Sequence, residues 1–173
     1  MQRNAIPPLE PRLQRRYLKM VQGHMHSVPK LAAGMSALPD VSSAFAATQG
    51  AWRFLNNEHV SLLALVEPLR NVGLERANAP DGVDFVLLVH DWCKLAFSHP
   101  KSDEVQLTHE SDVGYELTTA LLVSAADGSP LAPMEMHLKT AQGVLSTRPK
   151  TRDVSHLEQV LPTMKAALSW GLK

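Results

Sequence analysis

The chain has 173 residues, with 17 Lys plus Arg against 17 Asp plus Glu and a single cysteine. That length allows one ordinary domain or two small ones burying roughly 70% of the unfolded surface, and the balanced charge excludes a protein that holds nucleic acid through an overall positive field. One cysteine excludes an internal disulfide and leaves nothing to imply an oxidising compartment. The N-terminus lacks the apolar core of a signal peptide, and no apolar run approaches the ~18 residues a membrane helix needs, so the chain reads as cytoplasmic with no membrane partner.

The charge is unevenly spread. Residues 1–60 carry seven basic and three acidic side chains, a surplus of four, and the remainder carries the matching deficit. The split suits an N-terminal part facing an anion and a second part rich in carboxylates, although a solvated helix face gives the same count. Pro7, Pro8 and Pro11 predict an extended arm. From Arg12, helical spacing places Leu13, Tyr17, Met20 and Val21 on an apolar stripe with Arg12, Arg15, Arg16 and Lys19 off it, and Gly23 and Pro29 are expected to stop that helix. A basic amphipathic helix meets either phosphate or only water.

Residues 29–47 fit two short helices broken at Pro39-Asp40, with Asp40 or Ser42 capping the second. The stretch Gln49-Gly50-Ala51-Trp52-Arg53-Phe54-Leu55-Asn56-Asn57 follows. Asn56 and Asn57 should interrupt the helix there, because asparagine competes for backbone hydrogen bonds. Leu62, Leu65, Val66 and Leu69 resume helical spacing, and Asn71 to Gly82 reads as a linker. The domain boundary is therefore expected near residue 80, with a helical region over 1–80 and an α+β region over 81–173.

Phe85 to Val89 is a short, continuous apolar run after the turn signal Pro80-Asp81-Gly82, as expected for a strand buried on both faces. Alternation puts Phe85, Leu87, Val89, Asp91 and Cys93 on one face and Val86, Leu88, His90 and Trp92 on the other. An unpaired carboxylate leaving such a strand is costly to ionise, so Asp91 should sit where a cation, a donor or water reaches it. Metal binding is one reading; an ordinary strand-end carboxylate capping a turn or pairing with Lys94 is the other. Ser98 to Gly114 reads as a long loop, and Tyr115 to Ala125 and Leu131 to Ala141 as strands joined at Asp127-Gly128. In the second of these strands, Met134, Met136 and Leu138 alternate with Glu135, His137 and Lys139. Ser146 to Asp153 reads as a basic loop. Ser155 and Glu158 have capping-box spacing before a closing helix with Leu157, Val160, Leu161, Met164 and Leu168 as its buried stripe.

Other chemistry is weakly signalled. His24 and His26 lack further ligands at zinc spacing, and a His90–Cys93 nucleophile pair would point to opposite strand faces. Cys93 fits a packing role, and no phosphate-binding or dinucleotide fingerprint occurs.

The Gln49 to Asn57 stretch, followed by Val60, resembles a stretch in the N-terminal DNA-binding region of Tn5-type transposases of the IS4 family. Val86 to Asp91, the loop, and Tyr115 to Leu131 are similar to the opening of that family's catalytic domain. There the first acidic residue of a DDE triad ends the first strand of an RNase H-like sheet. The similarity spans roughly residues 25–173, and Trp92-Cys93 departs from the small hydroxyl residues often found after that aspartate.

It implies a small helical DNA-binding region; Arg15, Arg16, Lys19, Lys30 and Arg53, with Asn56 and Asn57, are the residues of this chain expected to meet double-stranded transposon ends. It also implies an incomplete RNase H-like fold of three strands and a helix. Asp91 would be the first catalytic and metal-holding carboxylate, and magnesium the cofactor of the complete family. The second Asp and the Glu have no match, so the chain reads as a front portion inactive in cleavage by itself, needing a missing C-terminal segment or a homodimer. The alternatives are a non-catalytic DNA-binding or dimerisation module, and a small α+β protein unrelated to transposition.

Overall fold

The computed structural model describes residues 6–27, 41–79, 85–97, 103–107, 109–149 and 155–172, without the side chains of 24–27 and 41–43. In chain order these form α1 (Pro11–Ser27), α2 (Val41–Leu55), α3 (Leu62–Ala77), β1 (Val86–Leu95), β2 (Val105–Gln106), β3 (Val113–Ser124), β4 (Pro130–Thr140), β5 (Gly143–Ser146) and α4 (His156–Ala167). The class is α+β. Two compact units divide between Leu65 and Val66. Among the described residues no helix is long and apolar enough to cross a membrane.

In the first unit the apolar stripe of α1 is used as its spacing requires. Leu13 is buried, and the Tyr17 ring lies 6.3 Å from that of Phe54 on α2, which is 1% exposed. Burial pushes the Tyr17 phenol up from its ordinary pKa. Two sequence expectations fail here. Gly23 lies within α1 and does not end it, since one glycine costs a helix only about 1 kcal/mol relative to alanine. The proline arm is not left loose, because Pro7 is buried and its carbonyl accepts from Gln14 Nε2 at 3.1 Å.

The expected break at Pro39-Asp40 and a cap at Asp40 lie outside the described residues. The helix that follows is one element through the Trp-Arg-Phe stretch and stops before Asn56. Asn56 Nδ2 donates to the Trp52 carbonyl at 2.9 Å, and Asn57 Oδ1 accepts from the His59 N–H at 2.9 Å, the side-chain competition expected of asparagine. Ser61 Oγ accepts from the Ala64 N–H at 3.1 Å and restarts the chain as α3.

α3 continues over Asn71–Ala77, where the sequence reads as linker. Gly73 is the reason both for the misreading and for the helix. A Cβ there would come within 2.5 Å of the Ala132 Cβ, so glycine serves close approach to β4 and not a break. Ala77, Leu122, Ala132 and Met134 form the core of the second unit, with Leu74, Val86, Leu88 and Trp170 packed around them.

The sheet is antiparallel in the order β1-β3-β4-β5, with β2 also paired to β3. β2 lies within the expected loop, and β5 falls between the last expected strand and the expected basic loop, overlapping the latter only at Ser146. Four and two residues are too short to show a periodicity. The β3–β4 hairpin turns where Asp-Gly predicts, with Gly128 at φ +72°. Register puts Leu88, His90 and Trp92 opposite Leu122, Ala120 and Thr118, on the face that carries α3 and α4. β1 is not buried on both faces. Leu87 and Val89 are 47% and 42% exposed on the other side, which no described helix of this unit covers.

The largest departure concerns α4. Its capping box forms as spaced: Ser155 Oγ accepts from the Glu158 N–H while the Glu158 carboxylate accepts from the Ser155 N–H at 3.0 Å. The Ser155 hydroxyl, donating to the carboxylate at 2.8 Å, and the Ser155 N–H hold the Glu158 carboxyl below its ordinary pKa. Ser155→Ala should cost about 1 kcal/mol in a urea titration. The expected buried stripe nevertheless faces outward, with Leu157, Leu161 and Met164 exposed and Leu168 88% exposed. Gln159 and Thr163 are buried in its place.

Candidate functional site

Asp91 lies on β1 opposite Thr119, on the uncovered face of the sheet, and is exposed. Full access to water meets the requirement that its charge be solvated. It does not pair with Lys94, whose Nζ is bonded to Asp112. It caps no turn either, since β1 continues to Leu95. Among the described residues no group of three or more His, Cys, Asp or Glu stands where it could hold a metal ion. Asp91 alone does not fit magnesium, which needs several oxygen ligands in near-octahedral geometry. His90 turns toward the helix face and Cys93 toward the open one, where its thiol is exposed and not packed. His24 and His26 lie outside the residues whose side chains are described.

The expected DNA-binding residues are spread over the helical unit, with Asn57 half-buried after α2. Arg15, Arg16 and Lys19 are all exposed along one side of α1. Arg53 and Asn56 are exposed at the end of α2, beside Trp52, which is 66% exposed. Lys30 lies outside the described residues. The Trp-Arg-Phe stretch thus faces two ways, with Phe54 inward and Trp52 and Arg53 toward solvent.

Arg16 and Asn57 meet at a cleft of about 280 Å³ lined also by Glu10, Arg12 and Leu13. Arg12 was not among the residues the sequence singled out as DNA contacts. Its i, i+4 relation to Arg16 and the Pro11 helix start were the signals available.

A second polar assembly was missed altogether. Register shifts around Ala120/Leu121 mark a β-bulge in β4, so Met134 and Glu135 are both buried although adjacent. Glu135 is 2% exposed. Its Oε2 accepts from Thr163 Oγ1 at 2.8 Å and from Arg148 Nη1 at 3.1 Å, while Arg148 Nη2 donates to Gln159 Oε1 at 2.6 Å. His137 Nε2 lies 3.3 Å from the same carboxylate oxygen but makes no hydrogen bond, and His137 Nδ1 pairs with Ser146 Oγ at 2.8 Å. Burial pushes the Glu135 carboxyl upward. The donors around it and the charge of Arg148 outweigh that and leave it below the ordinary glutamate pKa.

Arg70 of α3 donates to the Met134 carbonyl at 2.6 Å and the Thr147 carbonyl at 3.0 Å, which ties α3 to the bulge. Trp92 stacks on His156 at 4.2 Å, and His156 Nδ1 lies 3.3 Å from Glu116 Oε2. Glu135, Arg148, Gln159, Thr163 and His137 each have a side-chain partner, and the carboxylate is 2% exposed, so its chemistry is that of a buried clasp. The chain matches no protein-family model and no curated protein.

Proposed function

We propose that the chain binds double-stranded DNA through its helical unit, as the front portion of a transposase of the Tn5-like, IS4-family type acting on transposon ends in the cytoplasm. The observation that carries the reading is the exposed basic side of α1. Arg12, Arg15, Arg16 and Lys19 project into solvent, and none is ion-paired or hydrogen-bonded through its side chain among the described residues. Such cations release counterions when they meet phosphates, and that release drives association without base contacts. The exposed Trp52 and Arg53, with Asn56, extend the same surface chemistry on α2.

The sheet adds a weaker support. A β1 edge, antiparallel neighbours in the order 1-3-4 and a helix after the last long strand are compatible with the opening half of an RNase H-like sheet. Asp91 stands exposed on its first strand. Among the described residues no group of three or more metal-ligating side chains includes it, and end binding is the activity proposed for this chain.

A dimerisation module is the second reading. It is favoured by the apolar stripe of α4 and the uncovered sheet face, since apolar patches beyond a few hundred Å² generally mark contact surfaces.

Replacing Arg15, Arg16 and Lys19 together with glutamine should weaken duplex binding at least about tenfold and reduce the steepness of its salt dependence by roughly one unit per lost phosphate contact. Anisotropy titrations at several salt concentrations measure both. Unchanged affinity and slope would remove α1 from the interface.

A further inference from the structure

We infer that the cleft between the start of α1 and the α2–α3 turn is a phosphate-binding site, formed by Arg12, Arg16 and Asn57. The inference rests on the DNA-binding reading for its natural ligand, but its geometry stands independently. Arg12 and Arg16 are one helical turn apart and line the same cleft. Among the described residues neither guanidinium has a hydrogen-bond or ion-pair partner, so their donors are available to an incoming group.

Asn57 completes the set in a defined orientation. Its Oδ1 already accepts from the His59 N–H at 2.9 Å, which fixes that atom as the oxygen and leaves the amide NH₂ as the free end. Besides the apolar Leu13, the cleft therefore offers two guanidinium forks and an amide donor, and one opposing carboxylate, Glu10. The balance is one positive charge with an excess of donors. That suits a tetrahedral oxyanion, which arginine recognises through two parallel hydrogen bonds.

Size narrows the ligand further. About 280 Å³ falls below the ~300 Å³ at which pockets for drug-sized molecules begin. A phosphate with part of an attached sugar fits this volume, and a dinucleotide cofactor does not. The same chemistry is offered by a duplex backbone and by free inorganic phosphate. A backbone is the ligand expected here, because Arg12 and Arg16 of the cleft belong to the same exposed basic helix as Arg15 and Lys19.

The test uses the full chain with Arg12→Gln, Asn57→Asp and, as a control outside the cleft, Arg76→Gln. Each lowers the net charge by one, and Asn57→Asp retains the acceptor that His59 needs. Affinity for a random-sequence duplex is measured for each. The side-chain amide resonances of Asn57 are followed by NMR as sodium phosphate or sodium chloride is added at equal ionic strength.

The expected result is roughly tenfold weaker duplex binding for the two cleft variants, little change for Arg76→Gln, and tighter binding for Glu10→Gln. If the unaltered chain binds no duplex, yet phosphate and not chloride saturably shifts the Asn57 amide signals and Arg12→Gln abolishes this, the cleft stands with free phosphate as its ligand and the DNA reading falls. If the duplex is bound but all three variants behave alike, and phosphate leaves Asn57 unmoved, the cleft proposal is overturned while the DNA reading survives.

Discussion

Replacing Arg148 with alanine should cost about 3–5 kcal/mol of stability, the range for removing one partner of a buried ion pair. Its guanidinium serves Glu135, Thr163 and Gln159 together, and all three are buried. Without it the Glu135 carboxylate keeps its desolvation cost and loses its countercharge. Urea titration should show the loss as a lower midpoint with a little-changed slope. A double variant, Glu135→Leu with Arg148→Met, should lose far less than Arg148→Ala, because replacing both partners by apolar groups removes the cost and the compensation at once. A double variant as unstable as the single one would show that the carboxylate is not what Arg148 holds.

The same cluster sets an acid limit. The folded-state pKa of Glu135 is depressed, so its contribution is fully present above the unfolded glutamate value of about 4.3 and is lost as pH falls through the folded value. The exposed carboxyls of Asp127 and Glu158, held low by hydrogen bonds from Ser124 and Ser129 and from Ser155, act in the same direction. Stability measured from pH 7 downward should begin to fall near the ordinary glutamate range. In the Glu135→Leu, Arg148→Met background it should fall less steeply.

Phe54→Ala is expected to cost about 3–5 kcal/mol, since it empties the largest fully buried side chain of the helical unit. Stability of roughly 0.05–0.15 kcal/mol per residue leaves so small a unit only a few kcal/mol in all. Loss of Phe54 should therefore unfold α1 and α2 and abolish DNA binding with them. Trp52→Ala and Arg53→Ala, at exposed positions, should leave stability within about 0.5 kcal/mol and weaken binding directly. Circular dichroism with anisotropy separates the two outcomes. Loss of helicity in Trp52→Ala would contradict the division of this stretch into an inward and an outward side.

What the sequence made legible follows from the physics of each element. The α1 stripe, the stop at Asn56, the Asp127-Gly128 hairpin and the Ser155–Glu158 capping box are local devices, encoded within a few residues of where they act. Asn71 to Ala77 reads as linker and folds as helix because the packing reason for Gly73 lies across the unit at Ala132, which no window along the chain contains. The orientation of α4 was misread for a related reason. Periodicity shows that a helix has two faces, but which face turns inward was decided by Glu135 and Arg148. Glu135 is turned toward α4 by a bulge in β4 that sequence does not announce, and Arg148 reaches it from the chain just after β5.

The candidate sites show the same division. Asp91 emerges on the strand and face that alternation gives it, and Arg15, Arg16 and Lys19 on the exposed side of α1. The juxtaposition of Arg12, Arg16 and Asn57 depends on the fold of the α2–α3 turn against α1, and was not readable from spacing.

The most direct measurement of the central claim is the affinity of the unaltered chain for duplex DNA as a function of salt. Five described basic side chains, Arg12, Arg15, Arg16, Lys19 and Arg53, each neutralising about one phosphate, predict that log affinity falls linearly with log salt at a slope of about −4.5. Absence of binding at low salt, or a slope near zero, would contradict it.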